Sequence, residues 1–358
     1  MSSSPYASAL GRFKSLQPTL LPRESYGPLV QARDIAEVIK LLEPTPYGPE
    51  LVQAGATHHG AALVTVALNR LFVKRQRLLL ESASYAGKPL VQAYLRRWDL
   101  ENIALLLSSK AEGRPVQEAE VFLVSSREVP AGLLSGVLTL DDYRGLLALP
   151  TIEAVASGLV KFGYGGALLP LLEAYQSSHD IFPLLQALDR DYYARLLDSG
   201  RFFQGDEWVI REFLRSEIDV RNVLLLLKGK DGGLPIEAVL DRFIDGGTLA
   251  RDRVADLYST RSVPELVAQL GSRHPALAEG LEPYAAQHSL VPFQTALVRE
   301  RTVRELKRLR SFPLSICILF TFMLLAELER ADLRKIVYGK LYDVPAPELE
   351  RSLLVPHL

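Results

Sequence analysis

Carboxylate, amide and ammonium side chains recur three times in this sequence, at intervals of about 115 residues. Each set ends in a proline, and the members are Asp99, Asn102, Lys110 and Pro115, then Asp219, Asn222, Lys230 and Pro235, then Glu329, Asp332, Lys340 and Pro345. Such groups accept and donate hydrogen bonds and can exchange protons. Their spacing, however, is that of a helix followed by a turn. The side chains do not form a recognisable catalytic set. The pattern indicates a mechanical part more strongly than an enzyme.

The residues around each set predict an amphipathic helix and its end. Apolar side chains such as Leu100, Ile103 and Leu107 share one helical face in the first copy. A lysine in the last turn is expected to meet the partial negative charge of its own helix C-terminus, worth about 0.3–1 kcal/mol. Gly113 and Gly233 permit a left-handed residue after the helix. The prolines then suit the first turn of a following helix.

The asparagines admit two interpretations. Asparagine is a poor helix former, yet Asn102 and Asn222 lie on leucine-rich helices. Their amides would either contact a partner or bond backbone groups of a neighbouring helix or loop, and we favour the second. Asp332 occupies the same position in the third copy, where an ionised carboxylate accepts hydrogen bonds but does not donate them.

Helical periodicity extends over most of the chain and predicts an all-α protein. Amphipathic stretches cover 34–42, 61–80 and 295–309, without adjacent strand-like runs. A second marker, a glutamate in a short apolar helix, also occurs three times, as Glu37, Glu153 and Glu265. The two markers recur in the same order and at similar separations in all three copies, which indicates triplication of a whole helical unit. We expect three similar helical-bundle units over approximately 1–125, 126–245 and 246–358.

Charge and composition restrict the class of partner and compartment. The 358 residues include 41 basic and 42 acidic side chains, for a net charge of -1, so no global field attracts nucleic acid or an anionic membrane. The single cysteine excludes an intramolecular disulfide and fits a reducing compartment. No secretory signal is evident. The apolar run 314–326 is shorter than the ~20 residues that span a bilayer, so it predicts a buried core helix and no transmembrane segment.

Familiar catalytic and ligand-binding motifs are missing from the sequence. The histidines form no zinc-binding pattern, and the glycine-rich stretches at 163–166 and 228–233 lack the features of a phosphate-binding loop. No Gly-x-Ser-x-Gly elbow occurs, and acidic pairs lack a partner motif for metal-assisted catalysis. We therefore expect no catalytic residues, no cofactor and no metal.

One basic stretch is a candidate docking surface. Its members are Arg299, Arg301, Arg304, Lys307, Arg308 and Arg310. Val298, Thr302, Leu306 and Leu309 would form the inner stripe of this helix, which places the charges outside. A solvated face is the simpler interpretation. The alternative is docking to an acidic protein surface or to lipid headgroups, whereas the lack of interleaved aromatic residues disfavours nucleic acid.

Taken in order, these features resemble the C subunit of archaeal-type and related bacterial rotary ATPases, which is equivalent to the d subunit of vacuolar ATPases. The resemblance begins with YASALGRFKSLQPTLLPRESYGPLV and continues through LLEPTPYGPEL, with Leu42, Thr45 and Tyr47. The Asp-x-x-Asn-x7-Lys helices follow, and ADLRKIVYGKLYDVPAPELERSLL closes the match. It covers nearly the whole chain. GRFKSL and the Glu329/Asp332 pair depart from the family pattern.

The resemblance implies three similar helical domains around a pseudo-threefold axis, forming a funnel with a central cavity. Such a subunit is peripheral, on the cytoplasmic face of the membrane. It joins D- and F-type central shaft subunits to the proteolipid ring, without bond chemistry of its own, and thereby links ion translocation to ATP synthesis or hydrolysis. Two other hypotheses remain. One is an all-α scaffold unrelated to ion transport, and the other is an all-α terpenoid synthase, which would need an aspartate-rich metal motif that this sequence lacks.

Overall fold

The computed structural model describes residues 6–113, 135–201 and 208–355, and every regular element in these ranges is a helix. The predicted all-α class is therefore confirmed for the described residues. The helices of the first third are α1 Ala7–Leu16, α2 Tyr26–Gln31, α3 Ile35–Leu42, α4 Gly48–Ala54, α5 Gly60–Ser82, α6 Lys88–Leu95 and α7 Arg97–Ala111.

The second and third parts of the chain follow a similar plan of short helices leading into long ones. The second part contains α8 Leu140–Ala148, α9 Ile152–Gly158, α10 Gly165–Leu168, α11 Leu172–Ser178, α12 Phe182–Ser199, α13 Trp208–Asp231 and α14 Ile236–Arg242. The third contains α15 Arg251–Tyr258, α16 Val263–Leu270, α17 Leu281–Gln287, α18 Val291–Arg310, α19 Cys317–Leu341 and α20 Ala346–Ser352. Helices predicted over 34–42, 61–80 and 295–309 are confirmed as α3, α5 and α18.

Local sequence explains why the short helices of the second marker begin where they do. The helices α3, α9 and α16 each follow a side-chain cap, because Asp34, Thr151 and Ser262 accept a hydrogen bond from a backbone N–H in the first turn. Such caps stabilise a helix by about 1 kcal/mol. The triplicated marker is thus a capped helix in every copy.

The apolar run near the C-terminus is a buried core helix, as predicted. Helix α19 buries Phe320, Phe322 and Met323, and it continues without interruption through Glu329, Asp332 and Lys340 of the third set. The long helix α13 likewise carries the second set beyond its midpoint. Among the residues that the structure describes, no helix has both the length and the apolarity needed to cross a membrane.

Each group of short helices packs between two long helices that belong to different copies of the repeat. One apolar cluster joins α2–α4 to α5 and to the distant Leu333, Ile336 and Val337 of α19. Another joins α15–α17 to α13 and to Phe293 and Leu297 of α18. The first and last parts of the chain are therefore packed together. The boundaries 1–125, 126–245 and 246–358 remain a prediction.

A candidate docking cavity and the repeated helix ends

A cavity of about 840 Å³ lies among the long helices. Its walls come from α7, α12, α13 and α18, with Glu327 of α19 at one side. Buried members such as Glu217 and Arg301 form its floor, whereas Phe182 and Lys228 are exposed at its mouth. Glu217 and Lys228 are eleven positions apart, so the lining of the cavity extends about 16 Å along α13.

Three equivalent positions of the repeat meet at the cavity floor. Arg97, Glu217 and Glu327 each precede the first acidic residue of their set by two positions. A guanidinium N–H of Arg97 donates to Glu217 Oε1, and Arg97 Nη1 lies 3.5 Å from Glu327 Oε2. Because these residues lie on α7, α13 and α19, the three copies of the helix converge here.

Further hydrogen bonds hold Glu217 in place. Arg301 Nη2 donates to Glu217 Oε2 at 3.2 Å, and the Tyr193 hydroxyl donates to Glu217 Oε1 at 2.6 Å. Burial alone would raise the pKa of Glu217, but Arg97, Arg301 and Arg221 lower it to about 2. Glu217 is thus a permanent anion that fixes two arginines.

Glu327 has the opposite electrostatic character. Burial raises the pKa of Glu327 to about 7, because the attraction of Arg97 only partly offsets desolvation and Glu217 repels a second negative charge. The Tyr94 hydroxyl donates to Glu327 Oε2 at 3.1 Å, and the Arg97 guanidinium lies 4.4 Å from the centre of the Tyr94 ring. The floor therefore contains one carboxylate that titrates near neutrality.

Glu327→Gln is expected to change stability in a pH-dependent way. The pKa of Glu327 in the folded chain, about 7, lies above its ordinary value of 4.5. The neutral carboxyl group of Glu327 is therefore compatible with the folded chain below pH 4.5. Its ionisation in the buried site destabilises the folded chain as the pH rises through about 7. Glutamine, which stays neutral, should therefore stabilise the chain by about 3 kcal/mol at pH 8 and by little at pH 5. Denaturant unfolding at the two pH values measures this difference.

The exposed Glu43 provides the control for this measurement. At pH 5 and at pH 8, Glu43→Gln should have the same free energy of unfolding as the wild-type chain. If Glu327→Gln destabilised the chain equally at pH 5 and pH 8, Glu327 would be an ordinary ionised partner of Arg97 in that range.

The first acidic residue of each set binds the start of a short-helix group. Asp99 accepts hydrogen bonds from the Val137 N–H at 2.6 Å and from the hydroxyls of Tyr143 and Tyr164 at 2.9 and 2.7 Å. Burial raises the pKa of Asp99, although these hydrogen bonds oppose the rise. Asp219 similarly accepts from the Leu249 N–H at 3.0 Å.

Glu329 makes the equivalent connection between α19 and the N-terminal part of the chain. Its carboxylate accepts from the Leu21 N–H at 2.6 Å and from the Tyr47 hydroxyl at 2.5 Å. Arg75 Nη1 donates to it at 2.7 Å, and the side chains of Glu329 and Arg75 are both 2% exposed. The longer glutamate side chain of the third copy thus joins α19 to the first short-helix group.

The second residue bonds backbone in the second and third sets, and for Asn222 this agrees with the structural interpretation. Asn222 Nδ2 donates to the Ile244 carbonyl at 2.8 Å, and Asn222 Oδ1 accepts from the Ile244 N–H at 3.0 Å. Asp332 accepts from the Leu354 and Val355 N–H groups, both at 2.7 Å. Asn102 is buried beside the Tyr143 hydroxyl.

The repeated lysines lie in the last turns of their helices, and they also donate hydrogen bonds to carbonyls of neighbouring elements, which the sequence did not predict. Lys110 Nζ donates to the Leu147 carbonyl at 2.9 Å, at the end of α8. Lys230 Nζ donates to the Tyr258 carbonyl at 2.6 Å, at the end of α15, and Lys340 Nζ reaches the Val30 carbonyl in α2 at 2.5 Å. The long side chain reaches unpaired carbonyls of the packed helix, which supply up to four acceptors at its C-terminus.

The turns after the lysines have equivalent backbone geometry in the three copies. Gly113, Gly233 and Asp343, each three positions after a lysine, have φ of 65°, 64° and 55°. Pro235 and Pro345 then occupy the N-cap positions of α14 and α20. Pro115 lies outside the described residues.

The predicted outward orientation of the basic stretch is wrong for Arg301. Arg301 is buried because Glu217 neutralises it, Ser216 Oγ accepts from its Nε at 3.1 Å, and its guanidinium lies 4.6 Å from the centre of the Phe213 ring. Arg304 and Arg308 both contact the buried Glu305, at 3.1 Å in each case.

The remaining members of the stretch differ in their surroundings. Arg299 pairs with Glu279 at 3.3 Å, whereas Lys307 and Arg310 are exposed. Sequence reasoning also missed the joint role of Arg97, Glu217 and Glu327. The signal was present, because the position two before each first acidic residue is charged in all three copies.

The cavity combines paired charges at its floor with apolar surface on its upper wall. The described residues contain no group of three metal-ligating side chains. The floor charges largely pair with one another, and the upper wall carries the apolar Phe182, Leu224 and Leu225. A cavity of this kind can hold an amphipathic protein segment.

The chain was compared with known protein families. A family model described as ATP synthase (C/AC39) subunit matches residues 9–351. The chain belongs to the ATP synthase C/AC39 subunit family. This finding confirms the family resemblance of the sequence.

Similar members of the C/AC39 family include archaeal proteins named as the C subunit of an A-type ATP synthase. The protein of Thermoplasma acidophilum is 35% identical over 355 residues, which cover 99% of each chain. That of Thermoplasma volcanium is 32% identical over 340 residues, or 95% of each chain. The Methanocaldococcus jannaschii protein is 26% identical over 357 residues, which are 98% of this chain and 86% of the relative.

Proposed function

We propose that this chain is a non-catalytic central-stalk subunit of an A-type rotary ATP synthase. It acts as a socket between the D- and F-type shaft subunits and the membrane proteolipid ring, on the cytoplasmic face. The single observation that carries this proposal is the convergence of Arg97, Glu217 and Glu327 at the floor of one cavity. A shaft seated there meets all three copies of the repeat at once.

The chemistry of the cavity supports a protein occupant. Phe182 and Leu225 offer apolar surface near the mouth, and Lys228 and Glu101 place charges of both signs around it. Within the described residues, Glu327 Oε1 is buried without a hydrogen-bond partner. A donor at the tip of a shaft helix can satisfy that oxygen, which would otherwise cost about 1–3 kcal/mol.

Stiffness is the second physical requirement for transmitting torque. Each short-helix group is joined to a long helix by a buried carboxylate: Asp99, Asp219 or Glu329. Each group is also joined by a lysine that bonds its carbonyls. These two polar contacts should keep each short-helix group from sliding along its long helix, because such a movement would leave buried polar groups without partners.

Affinity capture of the tagged chain from its own membranes tests the proposal. Both the shaft subunits and the proteolipid ring should be recovered with it, and the ATPase activity of the captured complex should depend on the catalytic head alone. The scaffold hypothesis predicts neither partner. Recovery of the chain without shaft or ring, under conditions in which the remaining synthase stays assembled, would contradict the proposal.

A further inference from the structure

A second, smaller cavity of about 280 Å³ lies where the first and second parts of the chain pack together. Its walls come from α6, from the connection between α9 and α10, and from α12. It shares only Tyr192 with the lining of the larger cavity. The smaller cavity is therefore a site separate from the surface that we assign to the shaft.

Two arginine side chains converge at the smaller cavity. A Cβ atom added to Gly163 would lie 3.5 Å from Arg195 Nη1 and 3.6 Å from Arg96 Nη1. Outside the two residues adjacent to Gly163, no third atom of the described chain lies within 4 Å of that point. Gly163 has a φ of 88°, a conformation that glycine adopts readily, and it carries no side chain to fill this space. The two guanidinium groups thus face a space that a small ligand can enter.

Neighbouring side chains hold the two arginines in this arrangement. Asp191 Oδ2 lies 2.8 Å from Arg195 Nε, so this ion pair occupies the edge of the guanidinium that does not include Nη1. The Arg96 guanidinium lies 5.7 Å from the centre of the Tyr164 ring. The Tyr164 hydroxyl donates to the buried Asp99 at 2.7 Å, which fixes the ring beneath Arg96.

The charges around the smaller cavity leave an excess of positive charge. Asp191 is the one acidic residue among those that line it, and it pairs with Arg195. Arg96 forms no ion pair with an acidic side chain in the part of the chain that the structure describes. One guanidinium is therefore without a counter-charge, and the other is only partly neutralised. The site favours an anionic ligand.

We propose that Arg96 and Arg195 bind a phosphate group, supplied by inorganic phosphate or by a small phosphate ester. Guanidinium groups bind phosphate through short, charge-assisted hydrogen bonds. A tetrahedral anion lying against Gly163 can accept an N–H···O bond of about 2.9 Å from each arginine through different oxygen atoms. A planar monocarboxylate is a poorer match, because one arginine is enough to pair with it, as Asp191 does with Arg195.

The size of the smaller cavity restricts the rest of the ligand. Cavities that enclose a drug-sized molecule measure about 300–1,000 Å³, and this one, at about 280 Å³, is below that range. A ligand consisting of phosphate alone, or of phosphate with a few carbon atoms, fits within it. The base and ribose of a nucleotide would project into solvent.

A phosphate bound here would connect two parts of the chain. Arg96 follows α6, whereas Arg195 belongs to α12. One anion bonded to both would oppose separation of these helices, so phosphate is expected to raise the melting temperature of the chain. The inference goes beyond the proposed function and does not depend on it.

Calorimetric titration of the purified full-length chain tests the inference. Inorganic phosphate, glycerol 3-phosphate and acetate are compared at constant ionic strength and pH 8, where a phosphate ester carries close to two negative charges. We expect one site, with a Kd of about 1 mM or tighter for at least one of the phosphate compounds. Acetate should bind at least about tenfold more weakly. Tighter binding of the ester would identify an organic phosphate as the ligand, and tighter binding of the free ion would identify inorganic phosphate.

Arginine variants locate the bound phosphate. Arg96→Gln and Arg195→Gln should each weaken phosphate binding at least about tenfold, because each removes a charged donor. Arg201→Gln is the matched control, since Arg201 also pairs with an aspartate, Asp198, at 3.1 Å but does not line the smaller cavity. Its phosphate affinity should remain close to that of wild type. Melting temperatures measured without phosphate show whether each variant is folded.

Three results would overturn the inference. The first is the absence of both binding heat and a rise in melting temperature with either phosphate compound at 20 times the expected Kd. The second is an equal loss of affinity in Arg96→Gln and Arg201→Gln, which would indicate general electrostatic attraction. The third is acetate binding as tight as that of phosphate. None of these results would affect capture of shaft and ring by the tagged chain, so the phosphate site and the proposed function fail separately.

Discussion

Glu329→Ala is expected to reduce the free energy of unfolding by about 3–5 kcal/mol. This carboxylate is buried and accepts from Arg75, from the Tyr47 hydroxyl and from the Leu21 N–H. Alanine would leave the buried Arg75 charge unpaired, which is the costly way to break a buried ion pair. It would also release the contact between α19 and the first short-helix group. Denaturant unfolding of the full chain measures the loss.

A matched control uses a glutamate that pairs with arginine at the surface. Glu279 is 59% exposed and lies 3.3 Å from Arg299 Nη1, so Glu279→Ala should cost less than about 1 kcal/mol. The double variant Glu329→Met with Arg75→Met should lose less stability than the two single variants combined, because neither charge is then buried alone. A cost below about 1 kcal/mol for Glu329→Ala would show that the joint is not structural.

Phe182→Glu is expected to weaken binding of the shaft subunits at least about 100-fold while the chain stays folded. Phe182 is 45% exposed at the cavity mouth, so a shaft helix entering the cavity would cover it. Aromatic residues covered in this way often dominate binding energy, and a charge there must be desolvated. Titration of the purified chain with the shaft subunits measures the affinity. ATP-driven ion pumping should fall, while ATP hydrolysis by the head continues.

Leu169→Glu provides the control for the cavity variant. Leu169 is 42% exposed and does not line the cavity. The same change to glutamate should therefore leave shaft affinity and ion pumping close to those of wild type. If Phe182→Glu and Leu169→Glu had equal effects on shaft affinity, the binding surface would lie elsewhere.

The repeated set of side chains could be recognised from the sequence because its spacing is strict. Helical periodicity predicted α3, α5 and α18, and the short apolar run was correctly interpreted as the start of a buried helix. These features depend on residues within one element or one turn, where sequence order and spatial order agree.

Contacts between distant parts of the chain could not be predicted in the same way. Periodicity identifies the buried face of α19 but does not identify the α2–α4 group that covers it. Arg301 looked solvated because its buried partner, Glu217, lies 84 residues earlier in the chain. The sequence likewise contained no sign that the lysine of each set bonds carbonyls of another element.

The most direct measurement is a cryo-electron microscopy structure of the full-length chain bound to its shaft subunits. Shaft density is expected within the cavity, in contact with Phe182 and Leu225 and approaching Glu327 at the floor. A shaft bound to the outer surface of the chain, with the cavity unfilled, would contradict the proposed socket.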